Sequence, residues 1–414
     1  MLRAEHKNRS PLTSARRPPA DLDLSFAPHV LSPHVPSMTA FLETARTLAE
    51  EFAATAGERD RSGTFPHAPI ASLREAGLIG LAAPERLGGG GGLVRAAQVV
   101  GAIGAGDPAV ALVLAMTLLQ HGLIHRHGTS WPRALADRVG REAVTNGALI
   151  NALRVEPDLG TPARGGLPAT VARRDGGDWR VTGRKIYSTG APGLSYGLVF
   201  ARTDEAEPRI GNWLVPMSSP GIRIEESWDH LGLRASGSHD VVFEETFVPG
   251  DHAVDLRRPE DWRRPDPLQQ AWSCALLAAL YDGVARAAQA WFARFLHERV
   301  PGSLGAPLAS LPRFHEAFGE NERLLSINAR LVASLAAETD AGAPPAPQEA
   351  GFVKLTVTEN AIQAVQRVAE LCGNAALSRN NPLERHLRDV LCARIHWPQG
   401  DAVRIAAGRA ALGV

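Results

Sequence analysis

The apolar pattern of this chain changes period twice, and that order limits the folds open to it. From Met38 to about Glu142 apolar residues recur at three- and four-residue steps, as in Phe41, Leu42, Ala45, Leu48, Ala49 and Phe52, which buries one helix face. A second helix is expected over residues 70–75, ending at Gly77, and a mostly apolar stretch over 94–119, interrupted at Gly106-Asp107-Pro108, predicts buried helices. The texture changes near Ala143. Asp175-Gly176-Gly177-Asp178 is a hairpin signal, and strands are expected at 179–182, 198–203, 211–216, 221–225 and 239–247, with strand character ending at Val248-Pro249. From Pro267 the helical period returns, with helices over 267–299, 308–339, 348–371, 383–396 and 399–412 and a loop at 341–347.

Helix, strand, helix in sequence order means separate subdomains in place of one alternating α/β sheet. The expected fold is mainly α with a central β-domain: an N-terminal helical domain over 37–142, an antiparallel β-barrel or sandwich over 143–252, and a C-terminal helical bundle over 253–414. Residues 1–36, with Arg16 and Arg17 balanced by Glu5, Asp21 and Asp23, are expected to form a loosely docked or disordered arm.

Composition removes several classes of function. Lys plus Arg and Asp plus Glu number 44 each, so the chain lacks the basic excess of a nucleic-acid partner. Three distant cysteines (Cys274, Cys372, Cys392) support neither a disulfide framework nor a zinc cluster, and they suit a reducing cytoplasm. No apolar run approaches the roughly 18 residues of a membrane span.

Short motifs are weak here. Gly88–Gly92 lacks the Lys-Ser/Thr of a phosphate loop and reads as a flexible turn. His121 and His125 have the i, i+4 spacing of zinc ligands but no following Glu and no third ligand, so they read as pocket-lining or helix-end histidines. Gly193-Leu194-Ser195-Tyr196-Gly197 matches a nucleophile elbow, yet a strand follows it where a helix is needed.

A more informative stretch is Lys185-Ile186-Tyr187-Ser188-Thr189-Gly190, which offers hydroxyls, backbone amides and an aromatic face at one strand end. A flat ring with polar edges, such as a flavin, needs those groups. Strand alternation places Tyr187 and Thr189 on one face.

Several motifs in order resemble the acyl-CoA dehydrogenase family. They are Ala76-Gly77-Leu78-Ile79-Gly80 with Pro84-Glu85, then Gly183 to Gly190, Ala201-Arg202-Thr203-Asp204, Leu231-Gly232-Leu233-Arg234-Ala235-Ser236-Gly237-Ser238, and Pro382-Leu383-Glu384-Arg385 with Arg388-Asp389. The resemblance runs over residues 41–413 and implies a flavin, FAD or alternatively FMN. It implies that Ser188 and Thr189 meet the isoalloxazine edge and that Tyr187 packs on the ring. Glu156-Pro157 resembles a loop that helps hold flavin and substrate. Arg299 resembles an arginine serving the flavin pyrophosphate of a neighbouring subunit, with Glu370 and Gly373 on the adenosine side, so a homodimer or tetramer is implied. Glu370 stands where the family usually has glutamine, and Asn374 replaces a second glycine.

A dehydrogenase of this family needs a carboxylate to take an α-proton from a thioester. The two positions where members carry it fall here at Trp397 and near Ser273, neither of them acidic. His396 stands beside the gap, seven residues after Asp389 and before Pro398. That segment is similar to flavin monooxygenases of the same fold, the dibenzothiophene monooxygenase branch, in which the histidine lies near the flavin C4a position.

The resemblance then implies a catalytic His396, donating a hydrogen bond or shuttling a proton near neutral pH, assisted by Thr189. It also implies reduced flavin from a separate reductase. Read from the residues themselves, His121 and Trp397 are candidates to line a small-molecule pocket. An acyl-CoA dehydrogenase with another base, or a non-catalytic flavin-binding or scaffold protein, are the alternatives.

Overall fold

The computed structural model describes residues 38–158, 167–263 and 266–413, and its elements run helix, strand, helix, as the change of period predicts. The arm expected over 1–36 and the continuation after Asp158 lie outside the described residues. None of the described helices is long and apolar enough to cross a membrane.

The first block holds α1 (Met38–Ser62), α2 (His67–Glu75), α3 (Leu93–Gly106), α4 (Pro108–Ile124) and α5 (Arg133–Asn146). The long apolar stretch breaks into α3 and α4 because Asp107 caps the second helix. Its carboxylate accepts from the N–H groups of Ala109 at 3.0 Å and Val110 at 3.3 Å, while Pro108 fills the first helical position, where no N–H is missed. Arg59 of α1 holds the other carboxylate oxygen at 2.8 Å.

The Gly88–Gly92 run is a packed turn, not a flexible one. A methyl on Gly92 would land 2.4 Å from the carboxylate of Asp340, which accepts from Leu93 N–H at 2.7 Å and Val94 N–H at 2.9 Å. A carboxylate therefore fills the helix N-terminus that a phosphate would need.

The middle block is an eight-stranded sheet: β1 (Leu149–Leu153), β2 (Val171–Asp175), β3 (Asp178–Ser188), β4 (Leu194–Thr203), β5 (Ile210–Pro216), β6 (Ile222–Glu225), β7 (His239–Val248) and β8 (Ala253–Arg257). Its order is β6-β7-β3-β2-β4-β5-β8, with β1 added to β4. Pairing is antiparallel except for β1 and β2 on β4, which are parallel. The hairpin at Asp175–Asp178 forms as predicted. Strand character does not stop at Val248-Pro249, because β8 returns to pair with β5.

The last block holds α6 (Pro267–Glu298), α7 (Pro312–Asp340), α8 (Pro347–Cys372), α9 (Asn374–Leu377), α10 (Leu383–Leu391) and α11 (Gly400–Leu412). Buried amides set its register. Asn328 donates to Asp282 at 2.9 Å and to the Val357 carbonyl, and Asn321 donates to Gln289 at 3.0 Å and to the Ala364 carbonyl. Residues 282 and 289 of α6 thus lie level with 357 and 364 of α8, so these helices run parallel and α7 runs against them. α3 crosses α6 at Gly104, where a methyl would land 2.7 Å from the Leu280 carbonyl. One apolar core runs through all three blocks. The expected helix 383–396 ends early, at Leu391, and gives way to a tight turn.

Between β1 and β2, Glu156 is buried in an ion pair with Lys185 at 2.6 Å. The same carboxylate accepts from Ala169 N–H at 2.7 Å and Thr170 N–H at 2.9 Å, so it fastens the chain entering β2. Burial pushes the Lys185 ammonium down to about 8, partly offset by Glu156. Burial alone would raise the Glu156 carboxyl, but Lys185 and Thr170 outweigh it and hold it below its ordinary value. Lys185→Met should therefore cost about 3–5 kcal/mol in chemical denaturation by stranding a buried charge. Adding Glu156→Gln should recover part of that loss; equal losses in the single and double variants would show that the pair is not the cause.

Candidate functional site

The end of β3 is bulged. Its pairing with β7 slips between Lys185 and Ser188, and Tyr187 takes a φ of 57°, a left-handed conformation that bulky residues rarely adopt. The bulge cancels the expected alternation: Tyr187 is 54% exposed while Thr189 is 9% exposed, so the two do not share a face. Tyr187 lies edge-on to Trp228 at 6.3 Å and His230 at 5.8 Å, and those two rings stack at 3.6 Å. Sequence reasoning did not single out Trp228 or His230; both precede the Leu231–Ser238 motif that it did find.

Ser188 is buried, and its hydroxyl has no hydrogen-bond partner among the described residues. Thr189 shares a hydrogen bond with Ser238 at 3.0 Å, and Ser238 another with Ser236 at 2.8 Å. Asn151 donates to the Thr189 carbonyl at 3.0 Å. An orphan buried hydroxyl beside an exposed aromatic face fits a flat ring with polar edges.

His396 lies on the turn after α10. Its Nδ1 is 2.7 Å from the hydroxyl of Tyr281, a fully buried residue of α6. Lys354 of α8 holds the turn itself: its ammonium donates to the carbonyls of Ala393 at 2.8 Å, His396 at 2.9 Å and Pro398 at 3.2 Å. Among the described residues no carboxylate pairs with Lys354. Burial, reinforced by the Lys354 charge, pushes the His396 imidazole down to about 4, so it is neutral near pH 7. Tyr281 is pushed well above its ordinary value by burial, so its phenol stays protonated. Neither Tyr281 nor Lys354 was expected from the sequence, since each reads as an isolated polar residue in a helix.

Trp397, next in the chain, is partly exposed, and Ser273 is half-buried. A buried carboxyl on the preceding helix is Asp389, which burial pushes up to about 7 and which accepts from Leu233 N–H at 2.7 Å. A chain of contacts joins Asp389 to Thr189, since Leu233 also receives Ser236 N–H at 2.9 Å and Ser236 leads through Ser238 to Thr189.

His121 is buried on α4, stacked on His125 at 6.2 Å, and neither of its ring nitrogens has a partner among the described residues. Burial holds it down at about 3. No metal-binding cluster of three or more His, Cys, Asp or Glu occurs among the described residues. Burial raises all three cysteine thiols to about 12, which leaves them protonated and unreactive.

Arg299, Glu370 and Gly373 are exposed, at the C-terminal ends of the parallel helices α6 and α8. Among the described residues neither Arg299 nor Glu370 makes a side-chain ion pair. A cavity of about 370 Å³ lies elsewhere, at the start of β4, where Ser195 and Tyr196 face Glu142 and Asn146. Tyr196 donates to Glu142 at 2.6 Å, and no histidine is among the described residues that line the cavity, so Ser195 has no imidazole beside it.

Comparison with known proteins bears on the family and the fold. The acyl-CoA dehydrogenase N-terminal, middle and C-terminal domains match residues 36–134, 154–246 and 275–398. YdbM of Bacillus subtilis (strain 168), assigned to the acyl-CoA dehydrogenases, is 35% identical over 88% of this chain and 94% of its own. L-evernosamine nitrososynthase of Micromonospora sp. is 30% identical over 97% of this chain and 92% of its own. The structure of KijD3 in complex with FMN and a dTDP-linked 3-amino-4-keto sugar superposes with a TM-score of 0.81 at 28% identity, covering 92% of this chain and 95% of that one. On its domains, its relatives and its helix–sheet–helix plan, the chain belongs to the acyl-CoA dehydrogenase family.

Proposed function

We propose that this chain is a flavin-dependent monooxygenase that takes reduced flavin from a separate reductase and oxygenates a small molecule. The observation that carries the reading is the Tyr281–His396 pair standing beside Trp397, with no carboxylate at Trp397 or Ser273 to remove an α-proton. The nitrososynthase relative supports it, since oxidation at nitrogen is oxygen chemistry on the same fold.

Bound reduced flavin, FAD or FMN as in the KijD3 complex, supplies two electrons and the position at which O2 reacts. One oxygen atom enters the substrate and the other leaves as water. The chain's own residues bind and orient. Tyr187 offers its outward face to the ring, and Ser188 and Thr189 offer hydroxyls to its edges. His396 presents a neutral imidazole to the reactants, and Trp397 and His121 border the substrate. Arg299, Glu370 and Gly373, exposed together at one end of the bundle, would serve the flavin tail of a neighbouring subunit in a homodimer or tetramer.

The second reading is an acyl-CoA dehydrogenase, favoured by the YdbM likeness. The two readings separate in one experiment on the flavin-loaded protein. Under nitrogen, acyl-CoAs should leave the oxidised flavin band unchanged. In air, with a flavin reductase, oxygen uptake should accompany oxygenated product. Bleaching by an acyl-CoA without oxygen would decide for the dehydrogenase.

His396→Ala should lower coupled turnover by about 100-fold or more and divert oxygen to hydrogen peroxide; intact coupling would remove His396 from the mechanism. Ser188→Ala should weaken flavin binding by roughly 2- to 10-fold, read by fluorescence titration. Unchanged affinity would place the ring edge elsewhere.

A further inference from the structure

The hydrogen bond between Tyr281 and His396 can run in either direction, and the surroundings decide which. If Nδ1–H donated to the phenol oxygen, the phenolic proton of Tyr281 would have no acceptor, because that hydroxyl is fully buried and meets only His396 among the described residues. If the phenol donates to an unprotonated Nδ1, both the hydroxyl proton and the ring nitrogen are satisfied. Leaving a buried donor unpaired favours the second arrangement by about ten-fold or more. In a neutral imidazole the proton then sits on Nε2. That nitrogen has no hydrogen-bond partner among the described residues, and it is not sealed in the interior.

We propose that Tyr281 is a positioning residue that fixes His396 as its Nε2–H tautomer, making the imidazole a constant hydrogen-bond donor to the reactants and not a proton shuttle. The inference rests on the reading that His396 serves the reaction, but the tautomer itself is observable without turnover. Lys354 completes the arrangement. Its three carbonyl acceptors pin the backbone from Ala393 to Pro398, so the ring keeps its place against Tyr281.

Several charged or titratable groups lie around the pair, and one of them, the Lys354 ammonium, opposes a second proton on the ring. They are the Lys354 ammonium from α8, the Cys274 thiol of α6, and Asp389 and Cys392 at the end of α10. Lys354 disfavours an imidazolium directly, and burial does so more strongly. Asp389 is committed to Leu233 N–H, and both thiols are protonated.

The test is nitrogen NMR of the full chain labelled with 15N-histidine, with the His396 signals identified by their loss in His396→Gln. The wild type should show a protonated Nε2 and an unprotonated, hydrogen-bonded Nδ1, unchanged from pH 5.5 to 8. Tyr281→Phe keeps the ring but removes the O–H, so the minor tautomer should rise from under about a tenth to a comparable population. Coupled turnover in that variant should fall with peroxide release rising. A wild-type Nδ1–H tautomer, a ring that gains a proton near neutrality, or a Tyr281→Phe spectrum like the wild type would overturn the assignment. If the tautomer is as stated but Tyr281→Phe turns over normally, the tautomer stands and the donor role falls. If His396→Ala itself leaves coupled turnover intact, the failure belongs to the functional reading.

Discussion

The three blocks of this fold meet at one dipeptide, Arg388-Asp389 on α10. The Arg388 guanidinium holds Asp60 of α1 at 2.6 Å, Glu384 of its own helix at 2.8 Å, and the Leu231 carbonyl of the β-domain at 2.9 Å. Burial works against its charge, but the two carboxylates more than compensate. Asp389 reaches the same β-domain segment through Leu233 N–H. Gly232 lets the two backbones touch, since a methyl there would land 2.5 Å from the Arg388 carbonyl. The segment so held carries Ser236 and Ser238, the partners of Thr189, and it follows Trp228 and His230, which brace Tyr187. The candidate ring-edge groups on β3 therefore take their positions partly from a C-terminal helix. Partly buried multidentate pairs of this kind are worth far more than exposed ones, so the site and the assembly of the blocks depend on the same contacts.

The helices were legible in the sequence because their apolar faces repeat along whole segments, and because Asp107-Pro108 and Asp266-Pro267 combine an N-cap side chain with a proline at the first position. The Asp-Gly-Gly-Asp hairpin was legible for a similar local reason. The strands β1, β2 and β8 were not. Leu149–Leu153 is apolar without alternation, Val171–Asp175 ends in three exposed charged residues, and Ala253–Arg257 is mostly half-buried with Asp255 at a φ of 60°. Their strand character comes from partners, with β1 and β2 on β4 and β8 on β5. Helix 383–396 was overextended because nothing local ends it; what turns the chain is Lys354, about forty residues earlier, drawing three carbonyls to one ammonium.

The candidate site divides in the same way. Ser188, Thr189 and His396 stood out because each belongs to a contiguous motif. Tyr281 sits in Ala278-Ala279-Leu280-Tyr281-Asp282-Gly283, where a lone tyrosine reads as core. Its proposed role rests on a contact with a residue 115 positions away, His396, at 2.7 Å. Alternation failed at Tyr187 because the left-handed bulge reverses which side chain faces out. Asp340 filled the glycine turn from the far end of α7, which no reading of Gly88–Gly92 alone could reach.

The electrostatics around His396 bear on which chemistry this member of the family supports. A base that removes an α-proton must keep that proton, and on an imidazole this creates a cation. Here the cation would form in a half-buried ring beside an ammonium that has no carboxylate partner among the described residues. Both burial and like charge disfavour it, and Asp389 is engaged by Leu233. A neutral donor suffers neither penalty, because its ring carries no charge in any step. The surroundings that make His396 a poor replacement for the missing glutamate therefore make it a good fixed hydrogen-bond donor. On the proposed monooxygenase reading, the absence of a carboxylate at Trp397 and Ser273 and the presence of Lys354 and Tyr281 belong to one arrangement, suited to an oxygen acceptor more than to proton abstraction.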